Sequence, residues 1–157
     1  MHTMEEYGAF LAEVRRLTGL EMLVPDDGGL VTVRVDDKYN LSLQYIQGPA
    51  RVFCFIEVAE LPADAPKRVY RELLAGGLFG TETAGGFFTL EPESETVIYN
   101  YFFDGVDAAR DPEAFVQALE DMLQLCDIWT ERIEGILSGA PEDGPHPEGQ
   151  GCIQVFA

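Results

Sequence analysis

Apolar and polar positions along the chain repeat with two periods, and the places where the period switches mark its elements. Thr3 and Glu6 form a T-x-x-E capping box, in which each side chain satisfies a free amide of a first helical turn. Tyr7, Phe10, Leu11, Val14 and Leu17 follow at helical spacing, and Gly19 is placed to end the helix. This predicts a helix over about residues 4–18. After the turn signal Pro25–Gly29 the period becomes two. Leu30–Val35, Asn40–Ile46 and Arg51–Val58 read as strands, separated by Asp36-Asp37-Lys38 and Gln47-Gly48-Pro49. Connections this short predict an antiparallel meander. The third strand, VFCFIEV, is apolar on both faces, which predicts that it is covered on both sides.

Pro62 and Ala65-Pro66 open a second helix, since proline fits a first turn, and Val69, Tyr70, Leu73 and Leu74 form its stripe. Leu73–Leu90 reads as the end of that helix, a glycine-punctuated turn and the start of a strand. Phe87–Leu90 and Thr96–Phe103 are two further strands joined by the acidic turn Glu91–Glu95. Thr96–Phe103 is largely apolar on both faces, which places it inside the fold or at a subunit interface. Asp111 as N-cap and Pro112 at N1 start the longest helix. Its stripe is Phe115, Leu119, Met122, Cys126, Trp129, Ile133 and Ile136. The spacing suits a coiled coil or a helix lying across a sheet, and the second is favoured. The order α-β-β-β-α-β-β-α predicts an α+β fold with helices packed on a mainly antiparallel sheet.

Length and charge refine this picture. The 157 residues suit one domain, read as residues 1–137 followed by a flexible acidic Gly/Pro-rich tail, 138–157, which closes on CIQVFA. The net charge is −18, with 12 acids against 2 bases from Asp104 onward, so acidity runs along the whole chain. Such a field repels phosphate backbones and anionic headgroups, which disfavours nucleic-acid and membrane-surface roles. It keeps a protein soluble, and it would also keep a bound aggregation-prone or basic partner soluble. Cys54, Cys126 and Cys152 show no CxxC spacing and suit a reducing compartment. No membrane span, signal peptide or membrane insertion is expected, and a cytoplasmic location is.

A search for chemistry yields no catalytic constellation, metal site or cofactor motif. His2 and His146 lie in the N-terminal cap and the tail, and no cysteine has a histidine near in sequence. Ser42, Ser94 and Ser138 lack a nucleophile-elbow context. The glycines of Gly76–Gly86 follow a helix and precede a strand, the reverse of a phosphate loop, and no Gly-Lys-Ser/Thr is present. Asp26-Asp27 and Asp36-Asp37 lack the spacing of a calcium loop and read as turn formers. Phe53, Phe55, Tyr99, Tyr101 and Phe103 could stack bases, but core packing suits a chain of this charge better.

Three segments carry a family resemblance: LVPDDGGLVTVRVDDKYNLSLQ (Leu23–Gln44), ELLAGGLFG with Gly85-Gly86 (Glu72–Gly86), and ALEDMLQLCDIW (Ala118–Trp129). With the element order they resemble the class I chaperones of bacterial type III secretion, the Tir-chaperone (CesT-like) family, over about residues 4–137. Leu78-Phe79-Gly80 plus the later glycine pair is the most specific part. The resemblance implies a cytoplasmic homodimer without enzymatic turnover. It would bind the N-terminal, non-globular segment of a secreted effector in extended form and keep it soluble and secretion-competent. Strand addition at a sheet edge would supply main-chain hydrogen bonds with little sequence demand.

By position, the resemblance assigns effector binding to Leu11, Val14, Val31, Val33, Leu41, Leu43 and Phe53. It assigns the dimer interface to Leu73, Leu74, Leu78, Phe79, Ile98, Asn100 and Phe102. Ordinary core packing is the competing account of each. Gly76-Gly77 departs from the better helix formers of the family, and a shortened second helix is expected. Cys152–Phe156 is expected to lie along the effector site as an internal placeholder, with a disordered end as the plainer alternative. Two other functions stay open: a dimeric regulator on the same fold, and a small ligand-binding or enzymatic α+β domain. A deep polar pocket with shifted carboxylates would favour the latter.

Overall fold

The computed structural model describes residues 1–139. Helix α1 (Met4–Thr18) is followed by strands β1 (Leu30–Val35), β2 (Tyr39–Ile46) and β3 (Arg51–Glu60). Then come α2 (Lys67–Gly76), a 3₁₀ turn at Leu78–Gly80, β4 (Phe87–Glu91) and β5 (Thr96–Asp104). A short α3 (Gly105–Arg110) leads into α4 (Pro112–Leu137). The α+β architecture is the expected one. The strands form a single antiparallel sheet in the order β1-β2-β3-β5-β4, so β1 and β4 are its two free edges.

Local signals account for the element ends. The Thr3 hydroxyl accepts the Glu6 amide at 3.1 Å, and Gly19 closes α1 at φ 73°. The capping box is reciprocal only in part, because the Glu6 carboxylate accepts the amide of His2. Asp36 and Asp37, at φ 53° and 54°, make the β1–β2 connection a tight turn of the I′ kind, whose twist matches that of the flanking strands. The Asp26 carboxylate accepts the amides of Gly28 and Leu30 at 2.8 and 2.9 Å. Both acidic pairs therefore form turns. Asp111 caps α4 through the Ala114 amide at 3.0 Å.

The helices share one side of the sheet. All seven stripe residues of α4, from Phe115 to Ile136, are buried, and the helix lies across the sheet against β3. Under it lie Val52, Cys54, Ile56, Val97 and Tyr99, each fully buried. Among the described residues no helix covers the opposite face, where Phe53, Phe55, Ile98 and Phe102 lie partly open. This corrects the expectation for β3, which is covered on one side only. Its second apolar row is an aromatic array: Phe53 stacks on Phe102 at 4.5 Å between ring centroids and meets Phe55 at 5.3 Å.

The glycine-rich connection from α2 to β4 is a packing device. Tyr99 donates its hydroxyl to the Thr83 carbonyl at 2.8 Å, and Trp129 donates its indole N–H to the Glu82 carbonyl at 3.0 Å. A Cβ at Gly86 would stand 2.4 Å from the Tyr99 hydroxyl and 2.6 Å from the Asn100 carbonyl oxygen. Gly76, the last residue of α2, packs against the Trp129 ring, which leaves no room for a side chain.

Candidate functional site

The helix layer leaves a recess at the end of α1. Where α1 ends, its last turn, the following loop, β1, β2 and the first half of α4 enclose an apolar cleft of about 320 Å³. Val14, Leu23, Val33, Leu41 and Leu119 are the buried part of its lining. Leu17, Leu20, Val35, Val116 and Leu123 are half-buried around its mouth, and Asp36 and Glu120 are its exposed carboxylates. The loop beside it carries two strongly exposed apolar residues, Met22 and Val24. The cleft adjoins β1, whose outer edge has no partner strand among the described residues.

The predicted effector-facing residues divide on this geometry. Leu11 and Val14 are buried on the inner side of α1, and Val31, Val33, Leu41 and Leu43 are buried on the face of β1 and β2 that the helices cover. Leu11, Val31 and Leu43 pack in the core of the single chain, the competing account given for them. Val14, Val33 and Leu41 are brought together in the wall of the cleft. Phe53 lies on the opposite, open face of the sheet. The predicted site residues did not include Leu17, Leu20, Leu23, Val35, Val116, Leu119 and Leu123, nor Thr18 and the two acids. Leu20, Met22, Leu23 and Val24, apolar positions just before the Pro25 turn, were the available signal for the loop residues.

The predicted dimer residues fall on two surfaces. Leu73 is buried in the core. Leu74, Leu78 and Phe79 project into solvent from α2 and the 3₁₀ turn, at 79%, 61% and 84% exposure, and Phe79 sits at φ 58°. Ile98, Asn100 and Phe102 line the open sheet face. Asn100 is buried there, donating its amide to the Thr89 hydroxyl at 2.9 Å and to the Ile98 carbonyl at 3.0 Å.

The titratable groups of the interior are quiet. Burial pushes the Cys126 thiol up to about 12 and raises Cys54 as well, with Asp127 a lesser cause for Cys126 and Cys126 for Cys54. The phenols of Tyr7 and Tyr99 are likewise raised by burial. Neither cysteine is a poised thiolate. Among the described residues no cluster of His, Cys, Asp and Glu could hold a metal ion, and no helix is long and apolar enough to cross a membrane. The expected placeholder segment Cys152–Phe156 lies outside the described residues.

An antiparallel sheet with one helical layer, an apolar cleft at a free edge and exposed apolar residues elsewhere defines a protein built around surfaces for other chains. Residues 9–130 match the Tir chaperone protein (CesT) family, and the chain belongs to that family. No curated protein matches it in sequence. Among solved structures it is similar to a chain of the HopA1-SchA chaperone-effector complex, at TM-score 0.61 and 21% identity, covering 82% of this chain and 93% of that one. A chain of the ExsC-ExsE complex aligns at TM-score 0.63 and 15% identity, over 92% of this chain and 100% of that one. The Yersinia pestis type III secretion chaperone SycH, in complex with a stable fragment of YscM2, gives 0.56 and 18%, over 76% and 98%.

Proposed function

We propose that this protein is a cytoplasmic type III secretion chaperone that binds the extended N-terminal segment of a secreted effector and keeps it soluble, without enzymatic turnover. The observation that carries the reading is the apolar cleft beside the free edge of β1, in a chain that belongs to a chaperone family. An unfolded segment paired with β1 would satisfy its backbone there and send alternate side chains to the helix side. Seating one leucine-sized side chain in the cleft contributes about 1.5–3 kcal/mol. The charge of −18 disfavours aggregation of the loaded complex.

The protein works as a homodimer in this reading. Leu74, Leu78 and Phe79 are three large apolar side chains in water on adjoining turns, a placement that a second copy would relieve. Ile98, Asn100 and Phe102 with Phe53 offer a further apolar face on the open side of the sheet.

The test is a pull-down from the native cytoplasm with tagged protein, followed by mass spectrometry and limited proteolysis of what is bound. The expected result is one or two proteins, protected over a short N-proximal segment with their other domains still folded. Recovery of folded regulators alone, or of nothing, would overturn the proposal.

A further inference from the structure

Resting on the chaperone reading, we infer that the cleft selects a particular kind of segment: an extended stretch whose apolar anchor has a lysine or arginine two residues from it. Among the described residues the charged ones lining the cleft are Asp36 and Glu120, and none is a cation. Both are exposed, and among the described residues neither forms an ion pair or a side-chain hydrogen bond. Many acids elsewhere are engaged. Glu13 holds Arg16, Glu82 holds Arg132, Asp26 forms its turn, and Asp104 and Asp111 cap helices.

The nearest cations in sequence are turned away from the rim. Lys38, two residues past Asp36, pairs with Asp127 on α4. Arg34 donates to the Asn40 side chain at 3.0 Å and to the Asp37 carbonyl at 2.8 Å. Asp36 and Glu120 thus present uncompensated negative charge at the mouth of an apolar recess.

The geometry sets the spacing. A strand added at the β1 edge places every second side chain on the cleft side, about 7 Å apart. Asp36 directly follows Val35, the last β1 residue and part of the cleft lining. A basic side chain two residues from the anchor lies on the cleft side and reaches the rim, its stem lying on Leu17 or Leu123 while its head stays wet. The chain's own end is the wrong partner by the same rule. Residues 140–157 contain no Lys or Arg, so they offer the rim no base.

The test pans a random dodecapeptide phage library against the full-length protein, an Asp36→Asn/Glu120→Gln variant, and two mouth variants, Leu17→Glu and Leu123→Glu, each with its fold checked by thermal melting. The expected result is that wild type enriches peptides pairing Leu, Ile, Met or Phe with a base two residues away. The neutral-rim variant keeps the apolar anchor and loses the base, and the mouth variants enrich neither. A wild-type-selected peptide should bind about two- to fivefold more weakly for each carboxylate removed, and raising salt should weaken wild type more than the neutral-rim variant.

Cleft-dependent peptides without a basic preference would overturn this inference and leave the chaperone reading standing. Enrichment without that preference that appears only after residues 140–157 are deleted would assign the cleft to the chain's own end, and also overturn it. If no variant changes what is selected, the cleft is not the binding site and both readings fall.

Discussion

Gly76 and Gly77 are neighbours with opposite roles. A Cβ at Gly76 would stand 2.3 Å from the Trp129 ring, whereas at Gly77, φ −74°, it would meet the Leu74 carbonyl oxygen at an ordinary 3.5 Å. Gly76→Ala should therefore destabilise the protein by about 1–3 kcal/mol, as overpacking against a rigid ring does. Gly77→Ala should be neutral or stabilising by about 0.4–1 kcal/mol. Urea unfolding followed by the fluorescence of Trp129, the single tryptophan, separates the two. From sequence the pair reads as one helix-ending signal; what distinguishes them is a ring contributed by a residue 53 positions later.

The buried thiols give a second residue-scale prediction. Burial raises Cys126 to about 12 and raises Cys54 as well, so the native state keeps both protons at pH values where the unfolded chain, with thiols near 8.5, releases them. Their contribution is full below about pH 8.5 and is lost as the pH rises towards 12, at no more than about 1.4 kcal/mol per pH unit for each thiol. Urea midpoints at rising pH should fall over that window, and in a Cys126→Ala variant they should fall less steeply.

At the scale of elements, caps and stripes made most boundaries legible. Thr3 and Gly19 bound α1 as expected, and Asp111-Pro112 starts α4. Asp111→Ala removes the acceptor of the Ala114 amide and should cost about 1 kcal/mol, read as a lower thermal midpoint. Helix α3 was missed because GVDAAR is too short to show a period. Asp104, accepting the amides of Val106 and Asp107 at 2.8 and 3.0 Å, was its one available signal. The double apolar face of β3 was legible as a pattern but not as a location, because alternation cannot say whether a second layer exists.

At the scale of the molecule, the exposed apolar turn predicts assembly. Phe79→Asp, alone or with Leu74→Asp, should shift a dimer to monomer in analytical ultracentrifugation with little change in thermal midpoint, since both side chains are in water in the single chain. A Phe79→Asp protein that stays dimeric would move the interface to the open sheet face, where Phe102 is the next residue to replace. The cleft variants Leu17→Glu and Leu123→Glu should leave the dimer intact while abolishing effector binding.

By itself the sequence determined what depends on near neighbours: the periods of the stripes and strands, most caps and turns, the antiparallel meander forced by short connections, and the overall negative charge. These made the α+β class and the family resemblance readable. Only the tertiary structure decided which of two apolar faces the helices cover, because both rows of β3 and β5 satisfy the same alternation. It buried Leu11, Val31 and Leu43, left Phe53 and Phe102 open, and gathered Val14, Val33 and Leu41 with Leu23 and Leu123 into one cleft. Those residues come from four elements and the loop after α1, and their meeting is set by how α1 and α4 lie on the sheet, a long-range packing that no local period encodes.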